Sequence, residues 1–301
     1  MGVIDVATQV SGLAARQWGL LTTAQAQAEG ITRLQLARLA DAGLIERLGR
    51  GIYAIPAAVD EHTPLRAAWL SLKPAELAEV RLADPVSSGV ISHTSAANLH
   101  DLGDLLDDEP EITVSGRKQS RRGIRLHRSA LNTNEVTIVE GLPATSPTRT
   151  VADLLRDGHD PSHVAEIIGD VLQRDLASRH DMAVALEPLA RRNGQPSGGA
   201  LLEYLLDLVG LSSTALASDL AASDLGKALI DAGKLSIISN ITEAFSETGL
   251  PNLDMSAIIK AANLSAPIDT EALHKALSAN PSNWPSTAIR SGPTEMRHQH
   301  D

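Results

Sequence analysis

Arg33, Arg38, Arg47 and Arg50 lie close together near the start of a 301-residue chain whose net charge is −11. A guanidinium presents a planar fork of N–H donors that matches phosphate oxygens and the edge of guanine. Thr32, Gln35 and Tyr53 interleave these cations with smaller hydrogen-bonding groups. The chemistry such a set supports is recognition of a polyanion, not bond cleavage. A second group of cations, Arg117, Lys118, Arg121, Arg122 and Arg125, fills the stretch "GRKQSRRGIR". It reads as a solvated hairpin tip, as a second phosphate-contacting patch, or as a docking site for an acidic partner. DNA affinity that used it would fall steeply with salt, because each neutralised phosphate releases counterions.

The charge is unevenly spread. Residues 1–56 hold five Arg and four acids, residues 57–112 three bases and eleven acids, and residues 113–128 six bases and no acid. Such polarity orients a protein on a polyanion, since acidic faces are repelled while basic ones dock.

Other reactive side chains support less. His93, His100 and His127 are metal-ligand types, and His93 and His100 would share a face of one continuous helix. No acid or third histidine stands at ligand spacing, so structural or surface roles are expected and no metal site. His298 and His300 belong to a polar tail, "MRHQHD". Ser92 is expected as a helix N-cap. The chain has no cysteine, hence no disulfide and no thiolate chemistry. It contains no G-x-S-x-G elbow, Walker loop or dinucleotide fingerprint. No catalytic group and no cofactor are therefore expected. A run of about 20 apolar residues is missing, so no membrane span is expected. "MGVIDVATQV" has no basic stretch of the kind that opens a signal peptide, which points to the cytoplasm.

The elements that must position the arginines are marked locally. A first helix is expected over residues 4–18. Thr22 with Gln25, and Thr32 with Gln35, are capping boxes opening two short helices, with Gly30 as the stop between them. Ile31 and Leu36 have the spacing of a hydrophobic staple. Two short helices joined by a tight turn are a helix-turn-helix. On a helical wheel Leu36, Leu39 and Ala40 face the core, while Arg33, Ala37 and Arg38 face outward with Leu34 among them. Gln35 is divided between cap and contact, and Asp41 keeps the far end of the helix away from phosphates. "GLIERL" and "GIYAIP" alternate around "GRG" as a hairpin does, with Arg50 at the tip and Arg47 on the approach. Tyr53 would pack the returning strand on the helices and leave its hydroxyl to a phosphate. Residues 1–58 thus predict a winged helix-turn-helix domain.

Beyond it the pattern predicts a helix-rich α+β fold. Val90 and Ile91 form a short strand before a helix. "EITVS" and "IRLHRS" pair across the basic loop, and "VTIVEGLPAT" is a third strand. "SPTRTVADLLR", "HVAEIIGDVLQ", "DMAVALEPLARR" and "GALLEYLLDLVG" are amphipathic helices. An α+β domain is expected over 59–211, a helical appendage over 212–284 and a disordered tail over 285–301.

In that order and spacing, "LLTTAQAQAEGITRLQLARLADAGLIERLGRGIYAIP", "VISHTSAANLHDL", "RGIRLHRS" and "GLPATSPTRTVADLL" resemble the AbiEi family, antitoxins of type IV toxin–antitoxin systems. The resemblance spans roughly residues 15–210. It implies a winged helix that binds inverted repeats in its own promoter and represses the operon. The remainder would counteract a nucleotidyltransferase toxin of the AbiEii type. By position it places Arg33, Arg38, Arg47 and Arg50 on the basic helix and wing, and Leu34 departs from the polar or basic residue common there. Two-fold operators imply two protein copies on DNA. The same front end precedes Vsr-like endonuclease domains. Those need a carboxylate metal site on a late αβ unit, and no strand pattern with such a cluster follows Leu211. A stand-alone winged-helix regulator, with a C-terminal region that senses a partner or ligand, is the alternative reading.

Overall fold

The computed structural model describes residues 2–106, 108–116 and 123–223. Both predicted capping boxes form. Thr22 Oγ1 accepts from the Gln25 amide (3.1 Å) while Gln25 Oε1 accepts from the Thr22 amide (2.9 Å). The Thr32–Gln35 box closes in the same way, at 3.3 and 2.8 Å. These caps open α2 (Thr23–Ala28) and α3 (Arg33–Asp41), and Gly30 turns the chain between them at φ +81°. Ile31 and Leu36 are fully buried across the start of α3, as a staple requires. Ahead of them α1 (Val3–Ala15) buries Val6, Val10, Leu13 and Ala14. It stops short of the expected residue 18 because Trp18 (φ +57°) and Gly19 (φ +76°) turn the chain out of the helix.

Three strands complete the domain. β1 (Leu20–Thr22) was not anticipated by periodicity. It pairs antiparallel with β3 (Ile52–Ala54), which pairs in turn with β2 (Glu46–Gly49). The sheet order is β1-β3-β2. Three helices and this sheet, in this chain order, make the winged helix-turn-helix that the sequence predicts, with Arg50 in the β2–β3 turn.

The chain then runs through α4 (Thr63–Leu72), α5 (Ala78–Leu82), β4 (Val90–Ile91), α6 (His93–Leu99), β5 (Glu111–Val114) and β6 (Arg125–Arg128). It continues through β7 (Val136–Val139), β8 (Leu142–Thr145), α7 (Pro147–Asp157), α8 (Pro161–Gln173) and α9 (Arg179–Leu186). The five strands form one mixed sheet, ordered β6-β5-β4-β8-β7. Two sequence readings need correction. β5 and β6 do pair, but in parallel, with Glu111 opposite Arg125 and Val114 opposite Arg128. Parallel neighbours do not form a hairpin, so the hairpin reading of this pair does not hold. "VTIVEGLPAT" is not one strand but two, folded back at Glu140 and Gly141. Both residues have positive φ (+49° and +78°), the requirement of a type I′ hairpin turn.

Two apolar clusters among the described residues involve the winged helix. One lies inside the winged helix, among α1, α2, α3 and Ile45. The other joins Leu20 of β1 and Ala54 of β3 to Trp69, Ile91, Ile112, Leu142 and Ala144. Trp69 is 0% exposed, donates its indole N–H to Gly89 O (2.7 Å), and meets Trp18 edge to face at 6.0 Å. Arg66 stacks over Trp18 and reaches Asp60 and Glu140 O. Gln25 Nε2 donates to Glu76 O (2.8 Å), and the Ala78 amide to Gln17 Oε1 (3.2 Å). The winged helix is thus built into a compact unit spanning Met1–Gly198.

A second unit begins at Gly199; its described part holds α10 (Gly198–Leu208) and α11 (Ser213–Ala222). The helices and tail expected after residue 223 lie outside the described residues. Among the described residues no single helix is long and apolar enough to cross a membrane.

Replacing Trp69 by Ala opens a cavity in the shared core and is expected to cost about 3–5 kcal/mol. Urea unfolding of the full chain followed by far-UV circular dichroism checks this. A loss below about 1 kcal/mol would show that this core does not carry the unit.

Candidate nucleic-acid interface and a buried polar cluster

α3 presents the expected face. Leu36 and Leu39 are buried, whereas Arg33, Leu34, Ala37 and Arg38 are exposed, Leu34 by 61%. Arg33 is the first helical residue, the end through which recognition helices meet base edges. Arg50 is exposed in the wing turn. Among the described residues, Arg33, Arg38 and Arg50 make no hydrogen bond or ion pair, so their donors are open to a ligand. Arg47 folds along the wing, its Nε donating to Gly49 O at 3.3 Å.

The other expected contacts are differently placed. The Thr32 hydroxyl donates to Gln35 Oε1 (2.8 Å) and accepts the Gln35 amide, so the cap engages both side chains. Tyr53 lies opposite Arg47 in the sheet and packs half-buried on the winged-helix core. Asp41 is exposed at the far end of α3. Of the second basic group, Arg117, Lys118, Arg121 and Arg122 lie outside the described residues. Arg125 is described and exposed, and two carboxylates compensate its charge: Nη2 donates to Asp157 (3.0 Å) and Nε lies 3.9 Å from Glu111 Oε2.

The histidines are arranged in a way their spacing did not reveal. His100 ends α6 and points its Nε2 at Thr145 O (2.8 Å). His93 opens α6 at φ +54°, and its ring stacks on His127 at 3.5 Å, the planes 16° apart. The parallel β5–β6 pairing sets His127 beside Glu111, whose Oε2 is 2.5 Å from His127 Nε2. The Thr94 hydroxyl donates to Glu111 Oε1 (2.5 Å). Ser92 occupies the N-cap position, but its hydroxyl does not cap. It meets His93 Nδ1 (3.0 Å) and accepts from the Thr113 hydroxyl (2.9 Å). Burial pushes the His93 imidazole well below its usual range, and the neighbouring His127 adds to this. Burial would push the Glu111 carboxyl up, but hydrogen bonds from His127 and Thr94 outweigh it and hold the group ionised. Only Glu111 and Thr113, polar residues alternating along an otherwise apolar strand, hinted at this cluster in the sequence.

A neighbouring network ties the "RGIRLHRS" and "TSPTRTVADLL" stretches together. Arg149 Nε donates to both oxygens of Asp153 (2.9 Å), Nη1 to Glu135 (2.7 Å) and Nη2 to the Ser129 hydroxyl (2.8 Å). Asp153 is 2% exposed and also receives Arg156. Burial opposes ionisation of Glu135, yet the Asn132 amide and Arg149 prevail and lower its pKa.

With this geometry in view, residues 9–56 match the family described as "Transcriptional regulator, AbiEi antitoxin". The match is confined to this N-terminal segment of the chain. The matched segment coincides with the winged helix, from within α1 to Pro56, two residues past the end of β3. No curated protein matches the chain. The crystal structure of RV2827C protein from Mycobacterium tuberculosis is similar at 22% identity, over 72% of this chain and 81% of that one, with a TM-score of 0.42.

Arg149→Ala leaves Asp153 buried without its two-pronged partner and is expected to cost about 3–5 kcal/mol. Because Glu135 titrates lower in the folded chain than its ordinary 4.5, its contribution is present above that pH and is lost as pH falls through the folded value. The Arg149→Ala variant should therefore lose less stability than the wild type between neutral and acid pH. Urea midpoints at both pH values test both statements.

Proposed function

We propose that the chain is a non-catalytic, cytoplasmic antitoxin and autorepressor. Its winged helix binds inverted repeats upstream of its own operon. The observation that carries this reading is the set of uncompensated guanidinium groups on the exposed face of α3 and in the wing turn, within the AbiEi segment. Arg33 and Arg38 would read the major groove, and Ala37 between them would let the helix approach closely. Arg50, with Arg47 behind it, would hold a phosphate or reach the minor groove, with the Tyr53 hydroxyl as a further donor. Thr32 and Gln35 would act chiefly by fixing the start of α3, leaving the Gln35 amide NH2 toward DNA.

Two copies on a two-fold operator would turn the acidic remainder of each chain away from DNA. The domain reading that goes with this is a winged helix over 1–58, an antitoxin domain over 59–211 and a helical appendage after it. The toxin, a nucleotidyltransferase of the AbiEii type, is inferred from the antitoxin family and from the further motifs resembling it.

Electrophoretic shift on the protein's own upstream region, with Arg33→Ala and Arg50→Ala in the full chain, tests the DNA contact. Each variant should bind about tenfold or more weakly, and loss of a phosphate contact should reduce the salt slope by about one. Unchanged binding by both variants would sink the winged-helix interface. Co-expression of these variants with the toxin separates the two activities. Rescue is expected to persist when repression is lost.

A further inference from the structure

We propose that His93, Glu111 and His127 form a binding site for a divalent transition-metal ion of the zinc type. Their ligand atoms all lie within 4.8 Å of one another. Two imidazole nitrogens and one carboxylate oxygen are a donor set that suits zinc, which accepts nitrogen and oxygen together and leaves a fourth position for water. Magnesium and calcium, which take oxygen ligands, do not fit it. The three residues come from α6, β5 and β6, so an ion bound here would cross-link the first turn of the helix to two strands of the sheet.

The surroundings prepare each donor. The Thr94 hydroxyl holds Glu111 Oε1, and Oε2 remains directed at His127. Ser92 engages His93 Nδ1 and is itself held by Thr113, which orients the ring and leaves Nε2 to take the ion. Metal-binding histidines are commonly oriented through the nitrogen that does not touch the metal. His93 also holds a backbone conformation that a residue with a side chain rarely adopts, at φ +54°. Strain of that kind is found where a side chain must be aimed. Glu111 and His93 are buried and His127 is only partly so, which puts the approach for an ion and its water on the His127 side. For one ion to take a lone pair from each imidazole the stacked rings must converge, so His127, the freer ring, turns on binding. Arg125 is the one competing cation near Glu111 among the described residues, and Asp157 draws its guanidinium aside.

Full-length protein stripped with a chelator and titrated with Co²⁺, then with competing Zn²⁺, tests the site. One equivalent should bind with visible ligand-field bands, Zn²⁺ should displace it, and Zn²⁺ but not Mg²⁺ should raise the melting temperature. Glu111→Gln keeps the side-chain shape and the Thr94 contact, and His127→Ala removes a less buried ring. Each should weaken Co²⁺ binding at least tenfold while far-UV circular dichroism stays unchanged. A His298→Ala, His300→Ala double variant should bind as the wild type does. Absence of bands in the wild type, wild-type affinity in both Glu111→Gln and His127→Ala, or loss of binding with the tail histidines would each overturn the proposal. None of these outcomes depends on whether the winged helix binds DNA.

Discussion

Antiparallel pairing of β1 with β3 is the contact on which most of this architecture depends. It makes the returning strand of the wing the centre of a three-stranded sheet. It also aligns Leu20 with Ala54, so that both face the core built on Trp69. A hairpin of β2 and β3 alone would be marginal in water, because two strands bury too little. With β1 in place the wing gains a second neighbour and an apolar footing. Trp18, Arg66 and the Glu140–Gly141 turn then close around that footing: a Cβ at Gly141 would come within 2.7 Å of Trp18 Nε1. The wing is therefore carried by the body of the protein and not by a tether.

Charge is handled in two opposite ways. Buried cations are compensated, Arg149 by Asp153 and Glu135 and Arg66 by Asp60, and so is the exposed Arg125, by Asp157. Arg81 is the exception, lying fully buried over the Trp69 ring and donating to Trp69 O and Ser88 O, with burial lowering its pKa to about 10. At the winged-helix end, Arg33, Arg38 and Arg50 are left open. Opposing charges inside a fold tie elements together, whereas uncompensated cations on the winged helix favour a polyanion there while acidic surface elsewhere repels it.

Three stretches beyond the winged helix converge in space. "VISHTSAANLHDL" supplies His93 and Thr94, "RGIRLHRS" supplies Arg125, His127 and Ser129, and "GLPATSPTRTVADLL" supplies Arg149 and Asp153. Glu111 joins Thr94 to His127, and Arg149 joins Ser129 to Asp153; an unsatisfied member of such a network would be costly. Each stretch therefore constrains the others.

By itself the sequence determined what depends on neighbours along the chain. The Thr22–Gln25 and Thr32–Gln35 boxes, the Ile31–Leu36 staple, the two faces of α3 and the Arg50 turn were all legible. Their partners lie within a few residues, and cap and periodicity rules act at that range. Tertiary structure decided the rest. β1 is three residues long, too short to show alternation, and exists because β3 offers it an edge. "EITVS" and "IRLHRS" carry the same apolar pattern in either direction, so only the docking of the sheet selects parallel pairing. His93, Glu111 and His127 meet through that pairing, and no spacing in the sequence encodes a contact made between parallel strands.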